Sequence, residues 1–164
     1  MTANRKQKKP AVPLRSNMQS RSISRPAIAL DALDGHLGYF ARRMQIWVFQ
    51  DFIRTLKRID LSPAQYSVLV VTAANRGLSQ AELAVTLGIE RARLVRLLHR
   101  LERRRLVRRL PSAADGRRHA LQTTGQGRKL LARAKLLAAR HEQRLIEKLG
   151  AERHKMLLDA LRRF

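Results

Sequence analysis

The stretch from Leu78 to Leu121, LSQAELAVTLGIERARLVRLLHRLERRRLVRRLPSAADGRRHAL, decides the fold. Ser79 with Glu82 three residues later is a capping box and predicts a short helix to about Leu87. Gly88 supplies a tight turn, and a longer helix is expected from Glu90 to Arg104. Placed at 100° per residue, Arg93, Arg96, Arg100, Arg103 and Arg104 share an arc of about 100°, while Leu94, Leu97, Leu98 and Leu101 fill the adjacent one. One face is core and the next is guanidinium. Leu106–Leu110 and His119–Gln122 are β-compatible runs separated by a turn-rich loop with Pro111, Ser112, Asp115 and Gly116. A helix–turn–helix followed by a β wing is a device for putting one helix into a DNA groove.

On the N-terminal side, Ser62-Pro63 with Gln65 offers another capping box with proline at the first helical position. The helix it opens, AQYSVLVVTAAN, is apolar nearly all round and is expected to be buried. Before it, Leu37, Phe40, Met44, Trp47, Val48, Phe52 and Leu56 keep helical spacing, and Ile46, Phe49 and Ile53 widen the apolar surface beyond what one neighbour covers. This helix is expected to touch a second chain. On the C-terminal side, Thr123 or Thr124 caps a long helix to Leu149, Gly150 breaks it, and AERHKMLLDALRRF forms a last amphipathic helix.

The 35 Lys plus Arg against 12 Asp plus Glu, a formal charge of +23, would repel itself on folding and attract polyanions, so nucleic acid is the leading partner. With 45% hydrophobic and 4% aromatic residues the core is mostly Leu, Val and Ala, which suits packed helices. The absence of cysteine excludes disulfides, zinc fingers and thiol redox sensing by this chain. No apolar run is long enough to span a bilayer and no secretory h-region opens the chain, so a soluble cytoplasmic protein is expected. Gly125-Gln126-Gly127 lacks the Walker spacing, and His36, His99, His119, His141 and His154 lack metal-ligand spacing. No catalytic residue, metal or cofactor is expected, and the chain reads as no enzyme.

From about Asp34 to its end the sequence resembles the MarR family of winged-helix transcriptional regulators. The ordered set carries the resemblance: LSPAQYSVLVVTAANRGLSQAELAVTLGI, a recognition helix ending RLERRRLV, the D-x-R of the wing at Asp115 and Arg117, and TTGQGRKLL opening the long helix. The resemblance implies a homodimer with intertwined terminal helices, reading a palindromic double-stranded operator through recognition helices in major grooves and wings in the minor groove. It gives Asp115 and Arg117 the wing roles, and Arg91, Ala92, Arg93 and Arg96 the base-edge and phosphate positions. Ser79, Gln80, Arg100 and Arg118 complete the expected DNA-binding set. Two departures stand out: Arg93 where members commonly have Thr or Ser, and Arg105 where they commonly have Gly, which is unfavourable if φ is positive there.

The family often binds small aromatic acids in a cleft between its dimerisation and DNA-binding parts. His36, Tyr39, Arg43 and Trp47 share one helical face, with Tyr66 able to approach from the next helix, so an aromatic acid effector is one reading of them. A core or dimer seam with a snorkelling Arg43 is the other.

The expectation is therefore a mainly α fold with a small β wing, in which a winged helix–turn–helix domain is joined to a helical dimerisation region formed by the N- and C-terminal helices. Residues 1–33 form a disordered basic arm, 34–60 a dimerisation helix, 61–122 the DNA-binding domain and 123–164 further dimerisation helices. The arm either lies along DNA or is a solvated tail. The function expected is a sequence-specific, ligand-responsive repressor. Its rivals are a non-specific basic protein coating nucleic acid, and a helical interaction protein whose arm engages an acidic partner or membrane.

Overall fold

The computed structural model describes residues 28–111 and 119–163. Most of the expected basic arm, and the wing-tip residues Asp115, Arg117 and Arg118, lie outside the described residues. The chain forms two units, one ending at Gly35 and one from His36 onward. In the first, Asp31–Gly35 form a short 3-10 turn, which overlaps the end of the segment expected to be an arm.

The second unit runs α1 (Leu37–Lys57), α2 (Pro63–Ala74), α3 (Gln80–Leu87), α4 (Arg91–Arg103), β1 (Val107–Pro111), β2 (His119–Thr123), α5 (Gly125–Leu149) and α6 (Ala151–Arg162). Both capping boxes form. The Ser62 hydroxyl accepts from the Gln65 N–H at 3.2 Å and the Gln65 side chain accepts from the Ser62 N–H at 2.9 Å. Ser79 and Glu82 repeat the exchange at 3.2 and 2.8 Å. Glu90, expected as the first residue of α4, instead caps it by accepting from the N–H groups of Ala92 and Arg93. Thr124, rather than Thr123, caps α5 through the Gly127 N–H.

Three helices end in the same way. The N–H of Leu61 returns to the carbonyl of Leu56, that of Ile89 to Ala84 and that of Leu106 to Leu101, each with the preceding N–H bonded one turn back. This is the Schellman arrangement, and it puts Asp60, Gly88 and Arg105 in the left-handed region at φ 51°, 58° and 55°. Only Gly88 occupies it without steric cost. A side chain at Asp60 or Arg105 costs about 1 kcal/mol. The Arg105 departure therefore does fall on a positive-φ position.

The same cap moves the start of the wing. Leu106 gives its N–H to α4 and is buried, so β1 begins at Val107 instead of Leu106 and extends to Pro111, while β2 reaches Thr123. The strands pair antiparallel from Val107↔Thr123 to Pro111↔His119. The hairpin is fastened to the start of α3 by a bridge between Ser79 and Ala120 and by the Leu121 N–H donating to the Leu78 carbonyl.

Leu56, Val68, Leu69, Leu83, Leu94, Leu98, Leu101, Leu106, Val107 and Leu121 make the centre of the core, with α2 among the others as its all-round apolar pattern requires. At Gly127 a Cβ would stand 2.0 Å from the Leu106 carbonyl oxygen and 2.8 Å from the Thr123 side chain. Glycine alone lets α5 start directly against the base of the hairpin.

Candidate nucleic-acid interface

The direction in which α4 can meet DNA is set by what it buries. Leu94, Leu97, Leu98 and Leu101 are in the core, so the outward side is the one opposite them, where Ala92, Arg96, His99 and Arg103 lie, all exposed. Arg93 and Arg100 form one flank of this side and Arg91 the other, likewise exposed. Glu102 is the only acid within α4. Among the described residues none of Arg91, Arg93, Arg96, Arg100 or Arg103 is paired with a carboxylate. Arginine with its guanidinium unengaged is what guanine edges and phosphates take up in bidentate fashion.

Ser79 and Gln80 are half-buried at the start of α3, where the Ser79 hydroxyl, besides capping, donates to Glu82 at 2.7 Å. The arginine arc is legible in the sequence, but His99, which stands in the middle of the outward side, is no part of that arc; its place follows from the buried leucines, which fix the solvent side.

The arginine arc has a second surface. A cavity of about 1160 Å³ opens between α4, the C-terminal half of α1 and the start of α2. Phe49, Ile53, Leu61, Pro63 and Leu97 give it apolar walls, and Lys57, Arg93, Arg96, Arg100, Arg103 and Arg104 surround these with positive charge. Arg104 and Asp60 also line it, the Arg104 guanidinium donating to the Asp60 carbonyl oxygen and pairing with the Asp60 carboxylate at 3.5 Å. Sequence spacing could not reveal it, because its walls come from three helices.

The five residues read as an effector face lie elsewhere. Tyr39 and Arg43 contact each other, with the guanidinium 5.7 Å from the ring centre; Trp47 carries Lys148 over its ring at 5.1 Å. Tyr66 packs edge-on against Phe52, with ring centres 5.5 Å apart, and burial raises its phenol pKa. None of them, nor His36, lines the cavity beside α4. Among the described residues no cluster of His, Asp and Glu could hold a metal ion, and no helix is long and apolar enough to cross a membrane.

Comparison with known proteins agrees with this geometry. A MarR family model matches residues 59–118, from just after α1 to the residue before β2. A protein of Thauera aromatica, named as a transcriptional regulatory protein for the hcr operon, is 35% identical over 133 residues, covering 80% of this chain and 80% of that one. The transcriptional repressor CouR bound to a 23-mer DNA duplex superposes with a TM-score of 0.79 at 45% identity, over 82% of this chain and 96% of the other. CouR bound to p-coumaroyl-CoA gives 0.75 at 44% identity, over 82% and 95%. The chain belongs to the MarR family of winged-helix, DNA-binding transcriptional regulators.

Proposed function

We propose that the protein is a homodimeric repressor that reads a palindromic operator and releases it when a small aromatic effector enters the cavity beside α4. The observation that carries this reading is the double exposure of the arginine arc, which faces outward for DNA and also rims the cavity. Residues Arg91, Ala92, Arg93 and Arg96 at the front of α4 meet base edges, Arg100 and Arg103 further back meet phosphates, and Ser79 and Gln80 at the start of α3 complete the set. Asp115, Arg117 and Arg118 supply the wing contact in the minor groove.

The second copy is needed to cover apolar surface. Leu37 and Ile46 on α1, and Met156 and Leu161 on α6, lie outside that cavity and are exposed, Leu37 at 82% and Met156 at 70%. The domain division follows: α1, α5 and α6 make the dimer, and α2 to β2 make the reader, acting on chromosomal DNA in the cytoplasm.

For the effector, apolar walls beneath a ring of guanidinium groups suit an aromatic acyl group joined to an anionic part, either a carboxylate or the phosphates of a coenzyme A thioester. The CouR structure bound to p-coumaroyl-CoA supports this class.

Selection of bound duplexes from a random library tests the reading. A selected site should outcompete random DNA by roughly 10³ or more; equal affinity would leave a non-specific coating protein. Aromatic acids and their coenzyme A thioesters are then added to the complex. Loss of operator binding with one class identifies the effector, and retention with both overturns the release step.

A further inference from the structure

An acid inside a helix that meets phosphates calls for a reason, and Glu102 is the only one in α4. We infer that Glu102 is a positioning residue for DNA reading: by holding Arg109 of β1 it fixes the hairpin relative to α4, so that major-groove and minor-groove contacts are made together. The inference rests on the wing reading proposed above.

The contact is an ion pair by distance and not an aligned hydrogen bond, and it is the charge partner Glu102 supplies to an Arg109 whose Nε and Nη2 are buried without a hydrogen bond. Glu102 Oε1 lies 3.0 Å from Arg109 Nε, and the two side chains are 26% and 28% exposed, so the pair is screened less than one on the open surface. Successive strand residues point to opposite sides, and the neighbouring arginine behaves differently. Arg108 Nε donates to Gln122 Oε1 at 2.7 Å, within the hairpin. Arg109 instead reaches across to the helix.

The hairpin's other ties go elsewhere. Ser79 and Leu78 hold β2 to the start of α3, and the Thr124 N–H returns to the Leu106 carbonyl at the base. The Glu102–Arg109 pair is the side-chain link between α4 and β1 among the described residues. It acts beyond the base, since Arg109 pairs with Leu121 two steps outward from Val107↔Thr123. A small rotation there is magnified toward the loop that carries Arg117 in the sequence.

Charge gives the pair a second effect. Without Glu102, Arg109 is a free guanidinium between two DNA-reading elements. It would add a phosphate contact that is indifferent to sequence, steepening the salt dependence by about 0.9 in the log–log slope. Glu102 therefore raises the ratio of operator to random affinity from both sides, by holding the wing in place and by neutralising an unselective cation.

The test measures operator affinity, random-duplex affinity and melting temperature for Glu102→Gln, Arg109→Gln, Arg117→Ala, the Glu102→Gln/Arg117→Ala double variant, and the exchange Glu102→Arg/Arg109→Glu. Glu102→Gln should lower the operator-to-random ratio about tenfold, a typical coupling between two sites. It should cost little more once Arg117 is gone, and the exchange should restore most of the ratio. Arg109→Gln should lose the ratio without the steeper salt slope, which keeps the test open if the exchange does not fold. Equal weakening on both DNAs by Glu102→Gln, additivity with a costly Arg117→Ala, or an unchanged ratio in Arg109→Gln overturns the inference alone. An Arg117→Ala variant that binds operator like the wild type overturns the wing reading beneath it.

Discussion

Nδ1 of His141 lies 2.7 Å from Oδ2 of Asp51, joining the middle of α5 to α1 through a contact in which His141 is buried. The same oxygen accepts from Nε and Nη2 of Arg144 at 3.1 and 2.6 Å, and Arg144 also donates to the Thr55 hydroxyl at 2.7 Å. The His141 ring stacks on Phe52, with centres 4.8 Å apart, and Phe52 in turn meets Tyr66 of α2. A single carboxylate therefore fastens α1 to α5, two of the helices proposed to form the dimer, while Phe52 beside it meets the first helix of the reader.

Burial alone would raise the Asp51 carboxyl, but hydrogen bonds from His141 and Arg144 outweigh it and hold its pKa at about 2, against 3.8 ordinarily. A carboxyl lowered by folding stabilises the fold above its unfolded value and ceases to do so as pH falls through the folded one. Its contribution, on the order of 2 kcal/mol, is thus present above about pH 4 and gone near pH 2. Asp51→Asn should lower stability to urea by about that amount at pH 7, and the gap between wild type and variant should close as pH falls from 4 to 2. A gap that stays constant over this window would mean the charge contributes nothing.

Arg105 should be improvable. It holds φ 55° at the end of α4, where its N–H bonds the Glu102 carbonyl and its own carbonyl accepts from the Thr124 hydroxyl at 2.6 Å. Both bonds are made by backbone atoms of residue 105 and survive any side chain. Arg105→Gly should therefore stabilise by about 1 kcal/mol, and Arg105→Val should destabilise by at least as much. Thermal or urea unfolding of the two variants reads this directly; a destabilised glycine variant would show that the Arg105 side chain contributes more than its backbone conformation costs.

Local chemistry explains which parts of this chain were legible in advance. Ser62 with Gln65, Ser79 with Glu82, and Gly88 act within a few residues of themselves, so helix starts and one stop followed from spacing. The leucine periodicity of α4 fixed its buried side for the same reason. Element ends were less legible where a backbone group had two uses: Leu106 suits a strand but its N–H closes the helix, which shifts β1 by one residue. The cavity and the Asp51–His141 contact were invisible, because they join residues on different helices, in the second case 90 positions apart. His141 reads in sequence as one apolar-face position of α5, and nothing near it announces a carboxylate.

Gly127 offers a steric test of how α5 is seated. A methyl group there would meet the Leu106 carbonyl oxygen at 2.0 Å, and backbone on the far side cannot swing away as a flexible side chain would. Leu106 also takes part in the cap of α4 and accepts the Thr124 N–H, so displacing it disturbs helix and hairpin at once. Gly127→Ala should cost at least about 2 kcal/mol in unfolding free energy. Gly125→Ala, two residues earlier, meets only the far end of Arg128 at 3.9 Å and should be near neutral. Equal melting temperatures for the two variants would refute the close approach.

The arginines of α4 should separate by position rather than act as one pool of charge. Arg93 and Arg96 lie in its first two turns, where a recognition helix meets base edges, while Arg103 ends it. Arg103→Ala should weaken operator and random duplex alike and reduce the salt slope by about 0.9. Arg96→Ala should remove a further 1–3 kcal/mol, approximately, from operator binding alone, and relax the preference at one base pair in each half-site. Both variants keep the leucine side and the Glu90 cap intact, so their melting temperatures should match the wild type. Binding to both duplexes across a salt series measures these quantities together. If Arg96→Ala lowers both affinities by the same factor and changes only the slope, α4 grips the backbone and the base-edge assignment is lost.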